Sequence, residues 1–138
     1  MKTSPRFNAR RIVSGLVGAA VLSASLGAVA YARDADGSRL AARNMALGTT
    51  ASDTLNPPAD AIDWRAIKLT APKGLGVSLK VKPSGANATV SVTNSRGARV
   101  ASASNSDGVA SIMQKLDAGV YYISVSSTDR IAYRLSVR

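Results

Sequence analysis

The clearest alternation of apolar and polar residues runs from Leu116 to Val137. Two apolar sets, each with a period of two, are separated by the polar run Ser126 to Asp129. A period of two places each set on one face of a strand, and the polar run is typical of a hairpin turn. Because both strands would bury one face, the pair needs a second layer of structure from earlier in the chain. The apolar sets are Tyr121, Ile123, Val125 and Tyr133, Leu135, Val137.

Five earlier segments repeat this pattern, with turn residues between them. Strands are predicted from Ile62 to Leu69, Leu75 to Val81, Ala88 to Val92, Ala98 to Ser104 and Val109 to Leu116. Together with the terminal pair this makes about seven strands, spaced roughly ten residues apart, with no helical pattern between them. That spacing predicts an all-β, antiparallel, jelly-roll-like β-sandwich over residues 62–138 rather than alternating β and α units.

Residues 33–61 show no strand alternation and are predicted to form a flexible linker. Ser38 is a possible cap for a short helix that ends at Gly48, but a helix of about ten residues is unstable by itself in water. Asn56-Pro57-Pro58 disfavours helix. The alternative is a segment that becomes ordered on a partner.

Residues 1–32 are predicted to be a signal peptide. A basic start with Lys2, Arg6, Arg10 and Arg11 precedes the apolar stretch Ile12 to Leu26, and small residues near Ala30 and Ala32 suit cleavage. The alternatives are an uncleaved anchor and, from the arginine pair, a twin-arginine signal. The mature protein is therefore expected to be exported, periplasmic or extracellular, without stable membrane insertion after cleavage.

The composition disfavours catalysis. The chain has no Cys, no His and no Glu, so eight Asp are its only side-chain carboxylates. General acid–base and metal-assisted chemistry draw mainly on His, Glu and Asp together. We therefore expect a protein that is not an enzyme and that has no cofactor. Asp60 and Asp63, with Asn56, could supply oxygen ligands to a cation, but they are too few for calcium. Turn chemistry explains them better, so no metal site is predicted.

Several runs resemble the bacterial prepeptidase C-terminal domain family over about Asp60 to Arg138. The most specific is Leu-x-Ala-Gly-x-Tyr-Tyr-Ile-x-Val at residues 116–125, followed by Tyr-x-Leu-x-Val at 133–137. Asp63-Trp64, Gly74 to Leu79 and Asn94 to Gly97 also fit the family pattern. The resemblance implies a small jelly-roll-like β-sandwich of the kind found at the C-terminal end of secreted peptidases.

This chain departs from the family in two respects. Family members usually accompany a catalytic domain, for which the sequence has no room. In addition, Arg65 stands where the pattern has an aromatic residue, at an inward position of the first predicted strand. A buried guanidinium must snorkel or find a partner, because leaving it unpaired is costly. Some family members resemble collagen-binding or carbohydrate-binding modules, a few with calcium, but no residue set here matches such a site.

Charge is the feature that indicates a partner. From Asp60 onward the chain has eleven Lys and Arg against five Asp, a net charge of +6. The strand alternation directs one group of these cations, and Tyr122, away from the core. If the first, second and last strands of the predicted sandwich are neighbours, they form one basic face. The alternative is that these lysines only solvate the surface and protect strand edges. The predicted face consists of Lys68, Lys80, Lys82, Tyr122, Arg134 and Arg138.

Two functions remain open from the sequence. The first is a non-catalytic exported binding or accessory module whose partner is an anionic glycan or an acidic protein. The second is a structural or assembly component of an envelope or extracellular complex, joined through sheet edges. Nucleic acid is not expected, because no basic-plus-aromatic recognition motif accompanies the charge. Trp64 would either pack at the sandwich edge or stack on a sugar ring. The oligomeric state stays open.

Overall fold

The strands expected from the alternation are present in a computed structural model that describes residues 36–138. The predicted signal peptide, residues 1–32, lies outside the described residues. The nine strands are β1 (Arg43–Asn44), β2 (Thr49–Leu55), β3 (Ile62–Leu69), β4 (Lys73–Lys82), β5 (Ala88–Asn94), β6 (Arg99–Ser104), β7 (Val109–Leu116), β8 (Gly119–Ser127) and β9 (Ile131–Val137). A 3-10 turn at Arg39–Ala41 precedes them.

The strands form two facing sheets. One sheet has the order β1-β3-β8-β5-β6 and the other has the order β2-β9-β4-β7. Apart from the short parallel pair β1 and β3, neighbouring strands are antiparallel. Strands β2 to β9 therefore follow the eight-stranded jelly-roll plan, in which successive strands alternate between the sheets along most of the chain. This confirms the predicted all-β sandwich.

The core lies between the sheets and is built from the alternating apolar positions. Leu55, Leu75, Leu79, Val90 and Leu135 are completely buried there. Apart from Leu55, each of these residues belongs to a strand whose buried, inward-facing positions are apolar, as the period of two requires. Within residues 36–138, no helix has the length and hydropathy needed to cross a membrane.

The predicted linker is wrong over most of its length. Thr49–Leu55 is a full strand that pairs residue for residue with β9, from Thr49 opposite Val137 to Leu55 opposite Ile131. Its inward positions are Ala51, Asp53 and Leu55, and only the last is a large apolar residue, so the alternation was weak. Within the described residues, the strands of the sandwich therefore begin at Arg43, not at residue 62. Instead of the short helix capped by Ser38, Arg39–Ala41 forms a 3-10 turn to which the Ser38 side chain makes no capping hydrogen bond.

The predicted terminal hairpin is also wrong, although both of its strands exist. β8 pairs with β3 and β5 in the five-stranded sheet, whereas β9 pairs with β2 and β4 in the four-stranded sheet. The polar run between them therefore crosses the end of the sandwich. The Ser127 hydroxyl donates to the backbone oxygen of Asp129 (2.8 Å) within this connection. A period of two fixes which side chains are buried but not which strand lies next to which.

Candidate functional site

The outer face of the four-stranded sheet carries a group of adjacent cations. Lys80 on β4 lies directly opposite Arg134 on β9, and Lys82 follows Lys80 on the same side of β4. All three side chains are exposed. Residues of like charge that lie directly across from each other on neighbouring strands destabilise a sheet slightly. The stability of the fold therefore does not explain why Lys80 and Arg134 are adjacent. We call the outward cations of this sheet the basic face. The basic face consists of Lys80, Lys82, Lys115, Arg134 and Arg138.

The other end of the basic face is shaped by Gly76. Gly76 and Arg138 exchange two backbone hydrogen bonds, of 2.8 and 2.9 Å. A Cβ atom at Gly76 would lie 3.3 Å from Cγ of Arg138 and 3.5 Å from Cε of Met113. The missing side chain therefore lets Arg138 lie flat across β4 toward β7. Lys115 follows on β7, opposite Gly74, so this end adds two cations to the face.

A row of hydroxyl groups separates the two groups of cations. The register aligns Thr50 on β2 with Ser136 on β9, then with Ser78 on β4 and Ser111 on β7. The Thr50 and Ser136 hydroxyl groups are 2.9 Å apart and share a hydrogen bond. Because all four side chains are short, the row forms a shallow floor between the longer cationic side chains.

A groove of about 730 Å³ runs over the first group of cations. It is lined by residues of β2, β4 and β9, including the inward residues Asp53, Val81 and Tyr133, and by the turn before β7. Asp107 lies in that turn in the left-handed region, with φ of 52°, and it is an acidic residue at the rim. The lining includes Ser52, Thr54, Lys80, Lys82, Asp107, Ala132 and Arg134.

The structure divides the six residues of the predicted face between two sheets. Lys80, Lys82, Arg134 and Arg138 lie together on the four-stranded sheet. Lys68 lies opposite Val120 and Tyr122 lies opposite Ala66, both in the five-stranded sheet. The expectation that the first predicted strand neighbours the second and last is therefore wrong, because β3 and β4 are consecutive in the chain but belong to opposite sheets.

Tyr122 is in contact with the N-terminal segment of the same domain. The guanidinium carbon of Arg39 lies 5.4 Å from the centre of the Tyr122 ring, within the distance of a cation–π contact. The same guanidinium donates a hydrogen bond to the backbone oxygen of Ser95 (3.2 Å). Trp64 lies on this outer face too, half-buried, and its backbone N–H donates to the backbone oxygen of Asp36 (2.8 Å).

A second polar site, which the sequence did not predict, lies between the sheets at the β2 and β3 end. Arg65 is 5% exposed and its guanidinium donates to the carboxylates of Asp36 and Asp53, the latter at 3.2 Å. The hydroxyl of Tyr133 donates to Asp63, which is also buried. We call these five residues the buried ionic cluster. It provides the partner that an inward arginine requires.

The carboxylates of the cluster are close enough to consider a cation. Oxygen atoms of Asp36, Asp53 and Asp63 lie within 4.8 Å of one another. The positive charge between them is that of Arg65, with Arg43 at 3.5 Å from Asp36 on the more exposed side. The oxygen ligands considered from the sequence do not assemble, because Asn56 and Asp60 pair through their backbones across a turn while Asp63 points inward.

The cluster changes the ionisation of two of its members. Burial alone would lower the pKa of Arg65, but its electrostatic interactions with Tyr133 and Asp36 and its hydrogen bonds to Asp36 and Asp53 raise it above the ordinary value, so the guanidinium stays charged. Burial and the hydrogen bond to Asp63 raise the pKa of Tyr133 far above its ordinary value of 10.0. Tyr133 therefore stays neutral and remains a donor in the native state.

A loss of stability at alkaline pH follows from Tyr133. In the unfolded chain the phenol ionises near pH 10, whereas in the folded protein its raised pKa keeps the proton bound. The stabilisation is complete below pH 10 and is lost above it, at about 1.4 kcal/mol per pH unit for one proton. The free energy of unfolding, measured with urea between pH 9 and about pH 11.5, should fall with this slope. In Tyr133→Phe the slope should be smaller by the contribution of about one proton. An identical slope in both proteins would contradict the assignment.

Two signals in the sequence pointed toward this cluster. An arginine at an inward position requires a carboxylate partner, and Asp53 sits in phase with Ala51 and Leu55 on β2. The sequence could not supply the pairing, because Asp36 and Arg65 are 29 residues apart and Arg65 and Tyr133 are 68 apart.

Comparison with known proteins supports the fold only. No family model matches the sequence, and no curated protein matches it. The pre-peptidase C-terminal domain of collagenase from Bacillus anthracis is similar in structure, with a TM-score of 0.64 and 21% identity, covering 70% of this chain and 94% of that domain. The structural likeness agrees with the resemblance seen in the sequence, and at this identity it establishes a shared β-sandwich fold.

Two further solved structures are similar to a lesser degree. CorA, a surface-associated copper-binding protein important in copper acquisition by Methylomicrobium album BG8, has a TM-score of 0.56 and 9% identity, with coverage of 70% of this chain and 97% of that one. A carbohydrate-binding module from Clostridium stercorarium in complex with cellobiose has a TM-score of 0.45 and 12% identity, covering 70% and 95%. The last likeness is too small to support an inference.

Proposed function

We propose that this chain is a non-catalytic, exported binding module that holds a negatively charged polymer on the outer face of its four-stranded sheet. The observation that carries the proposal is the pairing of Lys80 with Arg134 across two hydrogen-bonded strands, beside Lys82 and over a groove of about 730 Å³. Clustered cations over a concave surface concentrate anions by raising the local positive potential.

The distribution of the remaining charges favours this face. Outward positions of β2, β4, β7 and β9 include four Lys and Arg and no Asp, and Arg138 directly follows β9. On the other sheet, the cations among the outward residues do not adjoin one another in this way, and Tyr122 is in contact with Arg39. The four-stranded sheet is therefore the better surface for an anionic partner.

The inventory of side chains supports binding without catalysis. The sequence contains no His, Cys or Glu, and the buried Asp36 and Asp63 are hydrogen-bonded to Arg65 and Tyr133. Hydrolytic chemistry needs a nucleophile next to a base. The residues that line the groove include no His, Cys or Glu to act as that base or nucleophile.

The salt dependence of binding tests the proposal. We expect the mature protein to be retained on an immobilised polyuronate at about 50 mM salt and to be released well below about 1 M, because exposed charge pairs are screened as the Debye length shortens from roughly 14 Å to about 3 Å. Sedimentation under the same conditions should show a monomer. No retention at low salt would reject the proposal, and oligomers that ignore salt would support an assembly role through the sheet edges instead.

A further inference from the structure

We infer that the polymer is a linear acidic polysaccharide that lies along the strand direction of the four-stranded sheet, with its acidic groups at the two ends of the basic face and its sugar hydroxyl groups over the central row. This inference rests on the proposed function and specifies its ligand. The evidence is the order of charged, hydroxyl and charged side chains at Arg134, Ser136 and Arg138, with Lys80 and Lys82 on β4 beside the first end and Lys115 on β7 beside the second.

The arrangement of cations sets the direction of the polymer. The distance along β4 from Lys82 to Gly74 is eight residue steps, or about 26 Å at roughly 3.3 Å per residue. Gly74 lies opposite Lys115 on β7. A chain along this line passes all five cations of the basic face. A polymer that crosses the four strands covers only about 14 Å of the sheet. In that direction, the line of opposite side chains with the most cations contains only Lys80 and Arg134. A polyanion therefore gains most by following the strands.

The centre of the face suits hydroxyl groups rather than further charge. Arg134 and Ser136 point outward from β9, and Arg138 follows at the end of the strand. The two arginines are four residues apart, a distance of about 13 Å along the strand, and Ser136 lies between them. With Thr50, Ser78 and Ser111 it forms a row of hydroxyl groups, each able both to donate and to accept hydrogen bonds. Sugar hydroxyl groups have the same dual character, whereas a polyphosphate backbone offers acceptors only.

The outward side chains of this sheet exclude stacking as the main source of affinity. The outward positions of β2, β4, β7 and β9 hold no aromatic residue; their largest uncharged side chain is Met113, which is 73% exposed. Proteins that bind single-stranded nucleic acid rely on aromatic platforms for their bases. Recognition here therefore depends on charge and hydrogen bonds, which favours an acidic polysaccharide over a nucleic acid.

The experiment compares three polyanions of equal charge: an oligogalacturonate, inorganic polyphosphate and oligodeoxythymidine. Fluorescence anisotropy at about 50 mM salt should show the tightest binding for the oligogalacturonate. Replacing two hydroxyl groups in the double variant Ser78→Ala/Ser111→Ala should weaken oligogalacturonate binding by about tenfold and leave polyphosphate binding unchanged. The matched control is Ser102→Ala/Ser104→Ala, which removes two exposed hydroxyl groups from β6 on the other sheet.

The outcomes separate this inference from the proposed function. If polyphosphate or oligodeoxythymidine binds as tightly as the oligogalacturonate, and the double alanine variant binds like the wild type, the polysaccharide assignment is overturned while the proposed function stands. If none of the three probes binds, the proposed function itself fails. Because Ser78 and Ser111 are not part of the core, the double variant Ser78→Ala/Ser111→Ala should melt at the wild-type temperature.

Discussion

Replacing Arg65 with alanine is expected to lower the free energy of unfolding by about 3–5 kcal/mol. Arg65 is 5% exposed and is the buried cation that bridges Asp36 and Asp53. Removing one partner of a buried pair leaves the other charge without compensation, and this is the costly case. In a domain of this size the melting temperature should fall on the order of 20 °C.

The effect should be specific to the cluster. Arg99→Ala removes an exposed arginine of β6 and should change stability by less than about 0.5 kcal/mol. Arg65→Lys keeps the charge but loses the planar guanidinium that reaches two carboxylates. Its free energy of unfolding should therefore lie between those of the wild type and Arg65→Ala. Urea unfolding at pH 7 measures all three proteins.

A double-mutant cycle with Asp36 tests the cause. Asp36 is completely buried and one of its oxygen atoms binds Arg65. If the two residues stabilise each other, the double variant Asp36→Ala/Arg65→Ala should lose at least about 1 kcal/mol less than the sum of the single variants. Additive losses, or a loss below about 1 kcal/mol for Arg65→Ala alone, would show that the ionic cluster does not hold the N-terminal segment to the sandwich.

Reversing two charges of the basic face is expected to abolish retention on an anionic polysaccharide. The double variant Lys80→Glu/Lys82→Glu changes the face by four unit charges next to Arg134. A surface Lys or Arg near an anionic surface contributes roughly 1 kcal/mol, so binding should weaken by at least about a hundredfold. Equilibrium binding to an oligogalacturonate at low salt gives the measurement.

The control reverses two cations on the other sheet. Lys68→Glu/Arg99→Glu makes the same change in net charge at exposed positions of β3 and β6, so it separates a local effect from the general loss of positive charge. We expect it to weaken binding by less than about fivefold, since its charges are not adjacent to the groove. Equal losses in the two variants would show that net charge, rather than the basic face, attracts the polymer.

The folded state should not be affected by the reversal at Lys80 and Lys82. Both side chains are exposed and neither contributes to the core, and two glutamates beside Arg134 replace repulsion with attraction. The melting temperature of Lys80→Glu/Lys82→Glu should therefore equal or slightly exceed that of the wild type. This result would separate a loss of binding from a loss of structure.

The sequence was sufficient for the buried face of most strands. Leu75, Val77, Leu79 and Val81 on β4 are buried as their alternation requires, because side chains two residues apart must share a face of a strand. The same rule placed Lys80 and Lys82 outward. The alternation was weak in β2, because neither of the inward residues Ala51 and Asp53 is a large hydrophobic residue that would distinguish the inward face from the outward one.

Only the tertiary structure decided which strands are neighbours. The sequence determined an all-β chain, its inward and outward residues and its excess of positive charge, because these follow from local periodicity and composition. It did not separate Lys68 and Tyr122 from the other four residues of the predicted face, nor join Asp36 to Arg65. Both outcomes depend on the jelly-roll connections, which send consecutive strands to opposite sheets and bring distant segments together through long-range packing.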